Sequence, residues 1–156
     1  EPGTTVPLMT ANIDLAPTIA EMTGVDIPDF VDGRSFLPCL TGEEVPWRDG
    51  LLIEFGYIDE EAVDEALKDP ETDNLLVAIV GGAFRGIRGE DFVYVEYANG
   101  EVEFYDLKTD PYQLENLAGR LSPETLSLLH VRLEALKECE ASACRLLEED
   151  LKKENQ

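Results

Sequence analysis

The chain reads as a small α+β domain. An antiparallel sheet of about four strands, including an Asn-Gly hairpin, packs against a long C-terminal amphipathic helix, and an N-terminal helix and loop lead into it. Three observations predict this. Residues 92–97 and 102–105 alternate on either side of Asn99-Gly100, and β-branched and aromatic residues flanking Asn-Gly are the strongest short-range hairpin signal. Leu126, Leu129, Leu133 and Leu136 recur at 3-4-3 spacing, which draws one apolar face of a helix. The 156 residues are 44% apolar, enough for one domain with its own core.

Taken in order, residues 1–50 form the lead-in. A helix is expected from Asp14, a good N-cap residue, with Pro17 tolerated in the first turn and Gly24 as the stop. Leu15, Ile19 and Met22 give it an apolar stripe. Residues 51–145 make the α+β subdomain. Leu51–Phe55 is a short apolar run bounded by Asp-Gly and Gly, and it reads as a mostly buried strand. Asp59–Lys68 is an acidic, helix-compatible insert ending at Asp69-Pro70. Leu75–Val80 is a short strand or extended connection, and Ala83–Arg88 is a strand with Phe84 and Ile87 as candidate buried residues. In the hairpin, Phe92, Tyr94 and Glu96 share one face, and Val93, Val95 and Tyr97 the other. The tight turn requires positive φ at its central residues, which Asn and Gly tolerate. Ser122-Pro123-Glu124 opens the last helix: an N-cap, a proline at the first helical position and a carboxylate at the positive end of the dipole. His130, between two of the leucines, reads as a surface or satisfied core residue. Residues 146–156 are an acidic, fraying tail.

Twelve basic against 34 acidic residues give a net charge of −22. That excludes nucleic acid or an anionic membrane as a partner held by simple electrostatics. No apolar run is long enough to span a membrane, and no signal peptide is visible. The chain starts Glu1-Pro2-Gly3 without Met, as a processed or cloned fragment would, so its compartment stays open between export and cytoplasm. Cys39 stands alone. Cys139 and Cys144 would be poorly placed for a bond on a continuous helix, whereas a break at Glu140-Ala141-Ser142 would bring their Cα atoms into disulfide range; the spacing leaves both arrangements open. Two thiols and a distant His130 do not make a metal site.

Several stretches together resemble the C-terminal part of sulfatases of the arylsulfatase and glucosamine-sulfatase type. They are Asp14-x-x-Pro17-Thr18, then Gly24, Asp32-Gly33-Arg34-Ser35 with Pro38, Leu40 and Gly42, and Trp47-Arg48-Asp49. Further along come Arg85-Gly86-Ile87-Arg88, Glu103-Phe104-Tyr105-Asp106-Leu107 with Asp110-Pro111, Glu115-Asn116-Leu117-Ala118, and Cys139…Cys144-Arg145. The likeness runs over about residues 6–145. It departs at the acidic insert 59–73, at Val93 where a basic residue is common, and at Ala141 where glycine is usual.

The resemblance implies that catalysis lies elsewhere. Sulfatases use a formylglycine made from Cys or Ser in C/S-x-P-x-R, and a calcium ion, both in a large N-terminal domain. None of the three cysteines here sits in such a motif, and no phosphate loop or Ser/His/Asp set is present. This chain is therefore expected to hold no catalytic residue, metal or cofactor of its own and to be inactive alone. Its expected partner is the catalytic domain, and sulfate ester reaches it only through that domain. Glu54, Arg85 and Arg88 are the candidates for bordering the substrate cleft, because guanidinium pairs bidentately with sulfate or carboxylate. Tyr94, Tyr97, Phe104 and Tyr105 are expected to pack on the sheet rather than form a sugar platform. The alternative is a stand-alone acidic interaction module that covers its apolar surface by homodimerisation.

Overall fold

The computed structural model describes residue 3, residues 5–56 and residues 82–149. The acidic insert and Leu75–Val80, expected as a short strand or extended connection, lie outside them. The chain divides into two compact units, Glu1–Leu51 with Glu134–Gln156, and Leu52–Leu133.

The second unit holds most of the sheet. Strands β1 (Gly50–Phe55), β2 (Phe84–Gly89), β3 (Phe92–Tyr97) and β4 (Val102–Asp106) lie in the order β1-β2-β3-β4. β2 pairs antiparallel with β3, Ile87 opposite Tyr94, and β3 with β4, Tyr94 opposite Phe104. This register places Phe92, Tyr94 and Glu96 on one face, because side chains alternate along a strand. Ile87, Val93, Tyr94, Val95, Ala118, Leu129 and Leu133 are buried. Leu129 and Leu133 come from helix α3 (Pro123–Glu138, 16 residues), which starts where Ser122 Oγ accepts the Thr125 amide at 3.2 Å.

The hairpin turn differs from the expected one. Of its central residues only Gly100 has positive φ, 89°. Gly100 N donates to Tyr97 O and Tyr97 N to Glu101 O, both at 2.9 Å. This is a three-residue loop with a left-handed closing glycine, not a two-residue turn with both residues left-handed. Asn99 contributes its side chain instead, accepting the Glu101 amide at 2.9 Å. β1 is also less buried than its apolar run suggests, with Glu54 and Phe55 exposed.

β4 is an edge strand, and the stretch after it covers that edge. Asn116 Oδ1 accepts the amides of Phe104 (3.1 Å) and Ala118 (2.9 Å), and its Nδ2 donates to Val102 O at 3.0 Å. Leu117 N donates to Phe104 O at 2.8 Å. A side chain thereby occupies strand groups that would otherwise template pairing with another chain. Upstream, Asp110 Oδ2 accepts Leu114 N (2.7 Å) and Glu115 N (2.8 Å).

The first unit contains α1 (Leu15–Thr23), α2 (Leu37–Thr41) and α4 (Ser142–Glu149). α1 ends at Gly24 as expected, and its apolar stripe faces outward. Asp14, Pro17 and Thr18 are buried, while Leu15, Ile19 and Met22 are 53%, 58% and 62% exposed. Apolar spacing identifies a helix face without saying whether this chain covers it. Asp14 makes no capping bond to the amides of α1; its carboxylate is engaged elsewhere. Leu146–Glu149, assigned to the tail from sequence, complete α4, and Glu148 is buried.

Candidate functional site

Two polar constellations stand out, one in each unit. In the second unit, Arg85 Nε donates to Glu54 Oε1 at 2.6 Å. Arg85 lies opposite Glu96 in the register. Glu96 Oε1 accepts the Tyr94 hydroxyl at 2.5 Å and lies 2.8 Å from His130 Nδ1. These residues share the Ile87–Tyr94 face of the sheet, and His130 ties α3 to β3. Burial pushes the Tyr94 hydroxyl well above the usual tyrosine range, helped by the hydrogen bond to Glu96 and its charge. Tyr94 therefore acts here as a fixed donor and not as an acid.

The three cleft candidates are only partly brought together. Glu54 and Arg85 pair. Arg88, three positions along β2, points to the opposite face, where Nη1 donates to Gly89 O at 2.5 Å. Among the aromatics, Phe84 meets Phe55 in a stack and Tyr97 edge-on, and Phe92 stacks on Phe104, which is packing within the sheet.

The first unit holds a buried ionic network that sequence reasoning missed. Asp14, fully buried, accepts four hydrogen bonds: Arg48 Nη1 (2.5 Å) and Nη2 (2.7 Å), Ala11 N (2.8 Å) and Arg34 N (3.0 Å). Arg48 Nε (3.0 Å) and Arg34 Nη2 (2.9 Å) both reach Glu148 Oε2, and Arg34 Nη1 reaches Glu149 Oε1 at 2.9 Å. Both guanidinium carbons lie 5.6 Å from the centre of the Trp47 ring, within cation–π range. Trp47 Nε1 donates to Met9 O at 2.8 Å.

Burial opposes ionisation of Asp14, yet the hydrogen bonds from Arg48, Ala11 N and Arg34 N, with the Arg48 charge, outweigh it and hold the carboxyl below the usual aspartate range. For Glu148 burial dominates and pushes the carboxyl up, against the attraction of Arg48 and Arg34. Burial works against the charge of Arg48 too, but Asp14 and Glu148 keep it firmly protonated.

Neighbouring residues serve the same assembly. Thr18 Oγ1 donates to Asp14 O (2.6 Å) and accepts Phe36 N (3.1 Å). Gly33 is required because a Cβ there would collide with the Ile13 carbonyl. Asp32 Oδ1 accepts Ala141 N at 2.6 Å, and Arg145 Nη1 donates to Val31 O at 2.6 Å. Cys139 and Cys144 are disulfide-bonded with Cα atoms 5.1 Å apart, across the break between α3 and α4 where Ala141 takes φ 53°.

Chemically, this network positions segments. Its guanidinium groups are ion-paired with carboxylates, although Arg34 Nε is buried without a hydrogen-bond partner. Among the described residues, no group of three or more His, Cys, Asp or Glu could hold a metal ion, and no helix is long and apolar enough to cross a membrane. The sequence signals for the network were the motifs Asp14-x-x-Pro17-Thr18, Asp32-Gly33-Arg34-Ser35 and Trp47-Arg48-Asp49. Their spacing does not say that they meet.

Comparison with known proteins places the chain. Residues 1–69 match the family model described as N-sulphoglucosamine sulphohydrolase, C-terminal. The N-acetylglucosamine-6-sulfatase of Bos taurus is 31% identical over 166 aligned residues, covering 93% of this chain and 29% of that protein. The chain thus spans less than a third of that relative's length. The phosphonate monoester hydrolase of Agrobacterium radiobacter, a solved structure, is 32% identical with a TM-score of 0.61, over 85% of this chain and 25% of that one. A structure solved with its substrate D-glucosamine-2-N,6-O-disulfate shares the fold at a TM-score of 0.58 and 23% identity, over 89% of this chain and 25% of that one.

Proposed function

We propose that this chain, which belongs to the sulfatase family as its C-terminal part, supports the catalytic domain of an arylsulfatase-like sulfuric ester hydrolase and performs no hydrolysis alone. The observation that carries this reading is the fate of its family motifs. Asp14, Arg34 and Arg48 neutralise one another and Glu148 in the interior, so they support a scaffold and not a reaction centre. Calcium and formylglycine are then supplied by the catalytic part. The buried carboxylates here do not fit a calcium ligand set, because Asp14 and Glu148 already receive guanidinium donors.

The Glu54–Arg85 pair is the stretch of this chain best suited to border the substrate cleft; Arg88, on the opposite sheet face, cannot share that boundary with it. In the full-length enzyme, Arg85→Ala should raise KM for a sulfate ester and leave kcat nearly unchanged, the pattern of lost uniform binding. The disulfide favours an exported enzyme, since such bonds persist in oxidising compartments.

The test is direct. The purified chain with calcium should turn over an aryl sulfate no faster than a no-protein control, while the same chain joined to its catalytic part should be active. Turnover by the isolated chain would sink the proposal. Full-length activity towards a phosphonate monoester but not a sulfate ester would move the reaction to the chemistry named for the Agrobacterium protein.

A further inference from the structure

We infer that the outer face of α1, formed by Leu15, Ile19 and Met22, is the surface on which the sulfatase catalytic domain seats. The inference rests on the reading above and assigns it to residues. A helix on the surface of a self-contained domain turns its apolar stripe inward and its polar face out. α1 does the reverse. Its inward residues are Asp14, Pro17 and Thr18, and its apolar stripe is in solvent, as are Val25 and Phe30 just beyond it. Clustered exposure of large apolar side chains marks an interaction surface.

The face is also rigidly presented. Asp14, at the start of α1, is held by four donors, and Thr18 on the next turn bridges Asp14 O and Phe36 N. A helix fixed from behind presents Leu15, Ile19 and Met22 without ordering cost, the condition for a tight docking contact.

Two observations select the occupant. The chain matches 29% of the length of the bovine sulfatase, so a protein of that kind has a much larger body to which this part must attach. A second copy of the chain is disfavoured, because each copy carries −22 charges and like-charged partners repel. An anionic membrane is disfavoured for the same reason.

The experiment uses the double variant Ile19→Lys with Met22→Lys, and Val131→Lys, an exposed apolar position on α3, as control. Wild-type chain and the catalytic part of the same sulfatase, supplied as a separate polypeptide, are mixed and their binding measured. The double variant should bind at least about tenfold more weakly, as expected when charge enters an interface core. It should keep the circular dichroism and urea midpoint of the wild type, and the control should bind normally. If the wild type binds and the double variant binds equally well, the docking face is wrong while the functional reading stands. If the wild type does not bind at all, the functional reading itself fails. A double variant that unfolds shows that the α1 face is internal packing and overturns the assignment. A wild-type chain that is a dimer, dissociated by the double variant, makes a second copy the occupant and overturns it as well.

Discussion

In the unit formed by residues 52–133, the interior is apolar: Ile87, Val93, Tyr94, Val95, Leu129 and Leu133, with Tyr94 satisfied by Glu96. In the unit formed by residues 1–51 and 134–156, the buried side chains include Asp14, Thr18, Arg34, Arg48 and Glu148, while the large apolar residues of α1 lie outside. An apolar core is a sum of many small contributions and degrades gradually. A buried ionic core depends on completeness, because each charge removed strands its partner away from water. The first arrangement suits a region that must fold on its own contacts. The second leaves the apolar face of α1 exposed.

The contrast predicts different responses to mutation. Arg48→Met should be the most damaging single change, costing about 3–5 kcal/mol in urea unfolding, because Asp14 and Glu148 lose their shared cation. Replacing Asp14, Arg34, Arg48 and Glu148 together with apolar residues of similar volume, so that no member of the buried network is left stranded, should cost less; an equal cost would show that the network acts through shape and not charge. Leu133→Ala, at a site 1% exposed, should cost about 2–5 kcal/mol by opening a cavity.

The two cores should also separate by pH. The folded pKa of Asp14 is depressed below its usual 3.8, so its contribution is present above that value and is lost as pH falls through the folded pKa. Asp14→Asn should flatten that part of the acid limb of the stability curve, whereas Leu133→Ala should lower the whole curve and leave its shape alone. Smaller still, Asn116→Ala should cost about 1–2 kcal/mol for its hydrogen bonds at the sheet edge and increase self-association on concentration. The smallest expected effect is a gain: Ala141→Gly, at φ 53°, should stabilise by up to about 1 kcal/mol, as relief of left-handed strain exceeds the added entropy of the unfolded chain.

The legible parts of this fold were those encoded locally. The alternation around Asn99-Gly100, the Ser122-Pro123 helix start and the leucine spacing of α3 each specify structure within a few residues. The sheet, its hairpin and the helix that follows could therefore be read directly. The ionic network could not, because Arg48 finds Asp14 across 34 positions and Glu148 across 100, and no periodicity reports a pairing at that distance. The His130–Glu96 contact, 34 positions apart, was hidden for the same reason. The direction in which the stripe of α1 faces was not legible, because amphipathic spacing says which side is apolar, and only the partner decides which side is inside. Of the cleft candidates, Glu54 and Arg85 were joined by strand pairing, and Arg88 was separated by simple alternation.

The position of Glu148 in the chain has a consequence for biosynthesis. Residues 14, 34 and 48 are translated early, and the carboxylate shared by both arginines is translated last among them. Until α4 emerges, Arg48 has Asp14 as its one carboxylate partner in the network, and Arg34 lacks both Glu148 and Glu149. The unit that closes on Glu148 is thus completed after the sheet, although its sequence begins first. During synthesis the outer face of α1 rests on an unfinished foundation. Any contact that covers this face before α4 emerges would hold the early segment in place while it waits for the helix that completes it.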